Sequence, residues 1–223
     1  MQLVIGNKNY SSWSMRPWVL MKQLGIPFEE VNLRLDLEEG SAFRQGVALY
    51  SPARTVPVLV DEGIAVWDTL AITEYLAEKH PAVWPAQRQH RARARSLAAE
   101  MHAGFGALRS HCPMNIEARL PDVGARIWAE QPAVQRDVAR IEAAFADALA
   151  ASGGPFLFGD FCAADAFYAP VCTRLLTYAL PVSDTTRDYL QRVVAAAGVA
   201  AWIRDALAEH DFIDFDEPYR KSR

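Results

Sequence analysis

The sequence predicts an α/β domain followed by an all-helical domain (α/β plus all-α), and two observations support this fold class. Strand-like and helix-like segments alternate over the first 80 residues in the order β-α-β-α-β-β-α, which is typical of a small α/β unit. After residue 90, long segments rich in Ala, Leu and Arg have apolar residues at helical spacing, without a strand pattern. We expect domains at residues 1–80 and 91–223, joined by a linker at residues 81–90 that two prolines stiffen.

Local signals place the elements of the first domain. The predicted strands are residues 2–6, 28–33, 56–60 and 64–67, and the predicted helices are residues 15–24, 41–49 and 68–79. The first helix is placed to begin at Met15, because Pro17 lacks an N–H group and is tolerated only in a first turn. Gly25 and Pro27 end that helix.

The second domain is expected to contain only helices. The predicted helices are residues 91–110, 123–150, 163–180, 187–197 and 200–210. The basic run at residues 87–96 is either a patch for anions or the solvated start of a helix. The second interpretation is favoured, because acidic residues elsewhere balance the charge.

Composition limits the class of protein. Of the 223 residues, 51% are hydrophobic and 22% are charged, as in globular proteins. The net charge of -4 argues against a nucleic-acid partner. We find no apolar run that could span a bilayer and no signal-peptide pattern. The three cysteines lack metal-ligand spacing. We therefore expect a cytoplasmic protein with no metal and no membrane partner.

Two segments of the first domain contain candidate binding residues. In "TVPVLV", Pro57 stands at the entrance to a strand, where a proline indicates either an edge strand or a cis peptide bond after Val56. A cis bond would leave the Val56 backbone free to pair with an extended peptide. In "WDTLAITEYL", Asp68 and Thr69 begin a helix. They are candidates for an N-cap, for a site that binds an amino-acid head group, or for both.

Two further segments contain polar residues at helix starts. In "GDFCAADAFYAP", Cys162 and Asp165 have the spacing of a capping box, which is a structural feature. In "NYSSWSMRPW", Ser11, Ser12 and Ser14 precede a helix. These serines either cap that helix or hold a reactive atom.

Together, these features resemble the cytosolic glutathione transferases over essentially the whole chain. The resemblance implies an enzyme with a thioredoxin-like N-terminal domain that binds glutathione as a co-substrate, and a helical C-terminal domain that supplies most of the second-substrate pocket. It also implies a symmetric homodimer. The family's buried helix box, commonly Ser/Thr-x-x-Asp, falls on Cys162 and Asp165.

The resemblance assigns roles to individual residues. Pro57 falls on the family's cis-proline, and Val56 on the residue whose backbone pairs with the cysteinyl unit of glutathione. Asp68 and Thr69 fall on the acidic and hydroxyl pair, commonly Glu-Ser, that holds the γ-glutamyl head. The basic residue often found just before Val56 is absent, so Arg54 becomes the candidate for the glycyl carboxylate.

The segment "SSWSMR" is similar to the "SSCS-x-R" segment of the zeta class, a serine-type transferase. This match places the catalytic serine at Ser11, with Ser12 as the alternative and Ser14 as a helper or cap. Trp13 stands where zeta enzymes have a cysteine, which puts maleylacetoacetate isomerase activity in doubt.

One serine hydroxyl is sufficient to activate the glutathione thiol, whose pKa is about 8.5 when free. Lowering that pKa by about two units requires about 2.7 kcal/mol. A hydrogen bond to a charged group contributes about 1.5–3 kcal/mol, and a helix N-terminus adds about 0.3–1 kcal/mol. The serine then donates a hydrogen bond to the thiolate and is not itself the nucleophile.

The expected function is conjugation of glutathione to a small apolar electrophile. The alternatives are a zeta-like isomerase, a glutathione-dependent peroxidase, and a non-catalytic protein with the same fold. The residues that either line the second pocket or belong to the core are Met101, His102, Phe105 and Arg109. The aromatic candidates for its wall are Tyr10, Trp13 and Tyr168.

Overall fold

The N-terminal part of the chain contains one mixed four-stranded sheet, seen in a computed structural model that describes all 223 residues. The strands are β1 (Gln2–Gly6), β2 (Glu29–Leu33), β3 (Val58–Asp61) and β4 (Ile64–Trp67). Their order is β2-β1-β3-β4, with β1 parallel to β2 and the other two pairs antiparallel. The central strands β1 and β3 are largely buried, whereas the edge strands contain no fully buried residue.

Three helices accompany the sheet, and each begins at a polar cap. They are α1 (Ser12–Gln23), α2 (Ala42–Ala48) and α3 (Thr69–Lys79). Their N-caps are Ser11, Ser41 and Asp68, and each cap side chain accepts a backbone N–H from its helix.

Two predicted boundaries in this part were wrong. Helix α1 begins three residues before Met15, because Ser11 caps it, and Pro17 lies inside the helix. Strand β3 begins at Val58 because Pro57 has no N–H group to donate to the sheet.

The rest of the chain is helical, as predicted, and contains seven α-helices. They are α4 (Arg88–Ala103), α5 (Gly106–His111), α6 (Pro121–Glu130), α7 (Pro132–Ser152), α8 (Ala163–Thr177), α9 (Asp184–Ala195) and α10 (Ala197–Glu209). The predicted helix 91–110 is two helices, because Gly104 is extended and Phe105 has a φ of 56°. The predicted helix 123–150 is also two, because Pro132 begins a new helix.

A single core of 51 buried residues extends from the sheet into the helices. Helix α1 packs against both α8 and α10. A Cβ atom on Gly198 of α10 would lie 2.5 Å from the Val19 carbonyl oxygen of α1, so these two backbones approach closely. The Trp202 indole donates to the Lys8 carbonyl oxygen (2.9 Å), which further joins α10 to the N-terminal part.

The capping box at the start of α8 is present, as predicted. The Asp165 carboxylate accepts hydrogen bonds from the Cys162 N–H (3.0 Å), the Leu157 N–H (3.0 Å) and the Tyr189 hydroxyl (2.8 Å). Asp165 is fully buried, so these three donors compensate for its lost hydration. The box therefore fixes the start of α8, which carries one wall of the site.

None of the helices is both long enough and apolar enough to cross a membrane. No three His, Cys, Asp or Glu side chains are grouped so that they could hold a metal ion. All three cysteines are buried free thiols.

Candidate functional site

Two adjacent cavities lie where the N-terminus of α1 meets the segment before β3. The larger has a volume of about 490 Å³ and the smaller about 280 Å³. Trp13, Thr55 and Val56 line both, so the cavities share a wall. Together they have a size typical of small-molecule sites.

Val56 lines both cavities and has an unpaired backbone. The Val56–Pro57 peptide bond is cis, which confirms one of the two interpretations of the "TVPVLV" segment. Neither the N–H nor the C=O of Val56 forms a hydrogen bond within the protein, and the sheet pairing of β3 begins only at Val58. Val56 is half-buried, so its unpaired backbone groups are available to an extended ligand.

The smaller cavity ends at the N-terminus of α3. Asp68 caps this helix: its Oδ1 accepts the Leu70 N–H at 2.8 Å. Its φ of 73° is in the left-handed region, which is uncommon outside glycine. Thr69 is the first residue of the helix, and both residues line the cavity. A helix N-terminus beside a carboxylate can bind a zwitterionic head group.

His102 of α4 contacts both Asp68 and Thr69. Its Nε2 lies 3.2 Å from the Asp68 Oδ2, and its Nδ1 lies 3.3 Å from the Thr69 Oγ1. The sequence left open whether His102 lines a pocket or is structural. The structure places it outside the lining of both cavities but in contact with two residues that line the smaller one.

Ser11 lies at the larger cavity and caps α1. The Ser11 hydroxyl donates to the Ser14 Oγ (2.7 Å), and the Ser14 Oγ also accepts the Gly6 N–H (3.1 Å). Ser14 is fully buried and lies outside the cavity lining. The Ser11 hydroxyl is therefore both a helix cap and the end of a short hydrogen-bond chain beside the larger cavity.

Ser12 also lines the larger cavity but has a different partner. The Arg174 Nη2 donates to the Ser12 Oγ at 3.2 Å, and the same guanidinium donates to the carbonyl oxygens of Cys112 and Pro170. Burial lowers the pKa of Arg174 to about 10. Sequence reasoning did not select Arg174, although an arginine in the apolar stretch that forms α8 was an available signal.

Trp13 lies beside two arginines. The Arg16 guanidinium is 4.1 Å from the centre of the Trp13 ring, and that of Arg109 is 4.9 Å away. Arg16 is almost fully buried, its Nε and Nη1 have no hydrogen-bond partner, and burial followed by the charges of Arg174 and Arg109 lowers its pKa to about 9. Arg16, Arg109 and Arg174 form no ion pair, so this part of the site is electropositive.

The other candidate residues lie either at the larger cavity or in the core. Tyr10, Arg54 and Arg109 line the larger cavity. Met101 and Phe105 are buried in the core. Tyr168 does not line the cavity: it is buried against Phe145 and Phe105, so its proposed place in the pocket wall was wrong.

The C-terminal segment also reaches the larger cavity, which the sequence did not indicate. Phe215 and Asp216 line it. The Tyr10 hydroxyl donates to the Glu217 carboxylate (2.7 Å), which holds this segment beside α1. Asp216 is the one carboxyl group in the lining, and burial raises its pKa to about 6.

Comparison with known proteins identifies the class. Residues 10–79 match the family described as "Glutathione S-transferase, N-terminal domain". A glutathione transferase homologue from Burkholderia, solved with bound glutathione, is 26% identical with a TM-score of 0.69, and the match covers 92% of this chain and 97% of that one. The maleylacetoacetate isomerase of Methylobacterium extorquens AM1, solved with malonate and glutathione, is 23% identical with a TM-score of 0.66, covering 91% of this chain and 95% of that one, and it supports the fold alone.

The curated relatives match over shorter segments. The maleylacetoacetate isomerase of Rattus norvegicus is 32% identical over 101 residues, which are 44% of this chain and 46% of the rat protein. The dichloromethane dehalogenase of Methylorubrum extorquens is 39% identical over 61 residues, which are 26% of this chain and 20% of that protein. The chain thus spans less than half the length of the curated relatives it matches.

Residues 10–79 therefore match the N-terminal domain of the glutathione transferases. The chain as a whole has the glutathione transferase fold, from the thioredoxin-like sheet to the helical C-terminal part, and the resemblance inferred from sequence is confirmed.

Proposed function

We propose that the protein is an enzyme that binds glutathione across the two cavities and activates its thiol with the Ser11 hydroxyl. The observation that supports this most is the unpaired backbone of Val56 between the two candidate end sites. The cysteinyl unit pairs with Val56, the γ-glutamyl head occupies the smaller cavity at Asp68 and Thr69, and the thiol points into the larger cavity. Arg54 is the proposed partner of the glycyl carboxylate.

The hydrogen bonds that link Gly6, Ser14 and Ser11 explain how the Ser11 hydroxyl can both cap α1 and stabilise a thiolate. Without a ligand, Ser11 donates to Ser14. When a thiolate is bound, the two hydroxyls reverse their direction: Ser14 donates to Ser11, and Ser11 donates to the sulfur. The Gly6 N–H donates to Ser14 in both states. Each donor polarises the next, so the terminal hydrogen bond to the thiolate is strengthened.

The proton on the free thiol leaves to solvent when glutathione binds as the thiolate. The anion is stabilised by Ser11, by the N-terminus of α1 and by the unpaired arginines around Trp13. The thiolate then attacks the electrophile in the larger cavity.

A second candidate function is a glutathione-dependent isomerase for an unsaturated carboxylate. The observation that favours it is that Arg109 and Arg174 line the larger cavity without an ion-pair partner. The sequence led us to expect an apolar electrophile, whereas these guanidinium groups favour one that bears a carboxylate. The relative from rat is an isomerase, although Trp13 stands where zeta enzymes have a cysteine.

Binding and turnover experiments distinguish these possibilities. Calorimetry with glutathione tests the site itself, and we expect binding. An assay panel of an uncharged chromogenic electrophile, a hydroperoxide and a cis-unsaturated dicarboxylate then separates transferase, peroxidase and isomerase. The absence of glutathione binding by folded protein would contradict the proposal. Binding without turnover of any of these would indicate a non-catalytic protein.

We also propose a symmetric homodimer in which the N-terminal domain of one protomer contacts the helical domain of the other. The edge strand β4 exposes two large apolar side chains, Ile64 and Trp67, which a partner would cover. Sedimentation should show a mass of about twice 24.8 kDa at micromolar concentration. A monomer would contradict this proposal and leave the glutathione site unaffected.

A further inference from the structure

The His102 side chain contacts both residues proposed to bind the γ-glutamyl head. It extends from α4 of the helical part and contacts Asp68 and Thr69 at the start of α3. Its ring also meets the Trp13 ring edge-on, with 5.1 Å between the centroids. Because three neighbours hold the ring, its two nitrogens have fixed directions.

The partners determine where the hydrogens lie. An ionised Asp68 carboxylate can only accept, so the His102 Nε2 carries a hydrogen and donates it. In the neutral ring, Nδ1 is then an acceptor, and the Thr69 hydroxyl donates to it. The Thr69 hydrogen is therefore engaged by His102. Because Thr69 is fully buried and Asp68 is exposed, the hydroxyl fixes the ring and the Asp68 carboxylate remains for a ligand.

We propose that His102 is a positioning residue of the glutathione site: the Thr69 hydroxyl fixes its ring, and the ring holds the Asp68 carboxylate so that this carboxylate accepts from the γ-glutamyl ammonium group. This inference rests on the proposed function. It changes the role expected for Thr69, whose hydroxyl was assigned to the ligand carboxylate. That carboxylate instead meets the N–H groups in the first turn of α3, which have no partner inside the helix.

The charges around His102 keep the ring neutral. Burial lowers the pKa of His102, the Asp68 carboxylate opposes this effect, and the guanidinium groups of Arg16 on α1 and Arg109 on α5 lower the pKa further. The imidazole is thus the form present at neutral pH, and the imidazolium forms only under more acidic conditions.

Protonation of His102 changes Nδ1 from an acceptor into a donor to the Thr69 oxygen, and the imidazolium neutralises part of the Asp68 charge. The reduced charge weakens ammonium binding, so glutathione affinity falls as the pH falls through the pKa of His102. By linkage, bound glutathione lowers the pKa of His102.

The test uses S-methylglutathione, which has no thiol to ionise. Calorimetry on the protein should show a Kd that rises about twofold to fivefold from about pH 7.0 to about pH 5.5, because a lowered pKa leaves His102 only partly protonated at the lower pH. His102→Phe keeps an aromatic ring beside Trp13 but removes both polar contacts. It should weaken binding about fivefold to thirtyfold at pH 7.0 and abolish the pH dependence. His102→Gln, with one donor and one acceptor, should recover most of the affinity at pH 7.0 without the pH dependence.

A glutathione analogue without the amine tests the contribution of the ammonium group to binding. The analogue with a glutaryl group in place of the γ-glutamyl group lacks only the amine, and its binding by the wild-type protein should not weaken between pH 7.0 and pH 5.5. NMR titration of the His102 ring should show a lower pKa with S-methylglutathione than without ligand.

The outcomes separate this inference from the proposed function. No binding of S-methylglutathione by the folded wild-type protein contradicts both. Binding that is independent of pH and unchanged in His102→Phe overturns the role of His102 alone and leaves the glutathione site intact. A pH dependence that persists in His102→Phe also overturns it, because another group must then titrate.

Discussion

At the scale of single residues, Asp68 combines two functions that one variant can separate. Its Oδ1 caps α3, and the same side chain lines the smaller cavity beside the helix N-terminus. Asparagine is as good an N-cap as aspartate and tolerates the left-handed backbone conformation of this residue, but it carries no charge.

Asp68→Asn should therefore retain stability and lose affinity. We expect the Kd for glutathione to rise about tenfold to a hundredfold, because a charge-assisted bond to the ammonium is replaced by a neutral one. The kcat at saturating glutathione should change little. Calorimetry measures the first effect and steady-state kinetics the second. Asp184→Asn, at an exposed first-turn position of α9, is the matched control. Unchanged affinity in Asp68→Asn would remove this residue from the site.

At the scale of elements, the site forms where α1, α5 and α8 bring guanidinium groups together. Arg16, Arg109 and Arg174 come from these three helices, and the pKa values of Arg16 and Arg174 are lowered first by burial and then by the neighbouring arginines. Arg16 and Arg174 are buried cations without an ion-pair partner, which destabilises the ligand-free protein. We therefore propose that an anion in the larger cavity relieves this repulsion and that the pocket selects the charge of its ligand.

Arg109→Gln should thus discriminate between electrophiles. For a carboxylate-bearing electrophile, kcat/KM should fall about tenfold to a hundredfold, since a charge-assisted hydrogen bond of about 1.5–3 kcal/mol is lost. For an uncharged electrophile, kcat/KM should change by less than about threefold. Parallel steady-state assays of the two substrates measure the ratio. Arg126→Gln, on α6 and outside the cavity lining, is the control. An equal loss for both substrates would contradict a role in recognising the carboxylate.

At the scale of the whole molecule, the N-terminal and helical parts are joined through α1, which packs between them. The close approach at Gly198 sets the distance between α10 and α1. Gly198→Ala should lower the free energy of unfolding by about 1–3 kcal/mol, because the added methyl group would meet backbone atoms of Val19 and Gln23. Gly106→Ala is the matched control, since nothing lies within 4 Å of its added Cβ. Denaturant unfolding compares the two, and equal stabilities would contradict the tight contact.

The sequence predicted the order of elements, the resemblance and the segments that form the site, because these depend on local periodicity, caps and a proline at a strand entrance. It did not predict that Arg174 and Phe215 reach the same cavity as Ser11. Those contacts depend on the packing of α8 and of the C-terminal segment, which no local pattern encodes. It also misplaced the start of α1, since the rule for Pro17 outweighed the capping signal of Ser11. The contacts of His102 required the distance between α4 and α3, which only the packed structure provides.

The most direct test of the account is the pH–rate profile of Ser11→Ala with glutathione and a chromogenic electrophile. We expect the apparent pKa of the bound thiol to rise by about one to two units, and the rate at neutral pH to fall about tenfold to a hundredfold. Activity should recover at high pH, where the thiol ionises without help, and glutathione affinity should change little. Ser12→Ala, whose hydroxyl is held by Arg174, should shift the profile less. An unshifted profile for Ser11→Ala together with a shifted one for Ser12→Ala would contradict the central claim and assign the thiolate to Ser12.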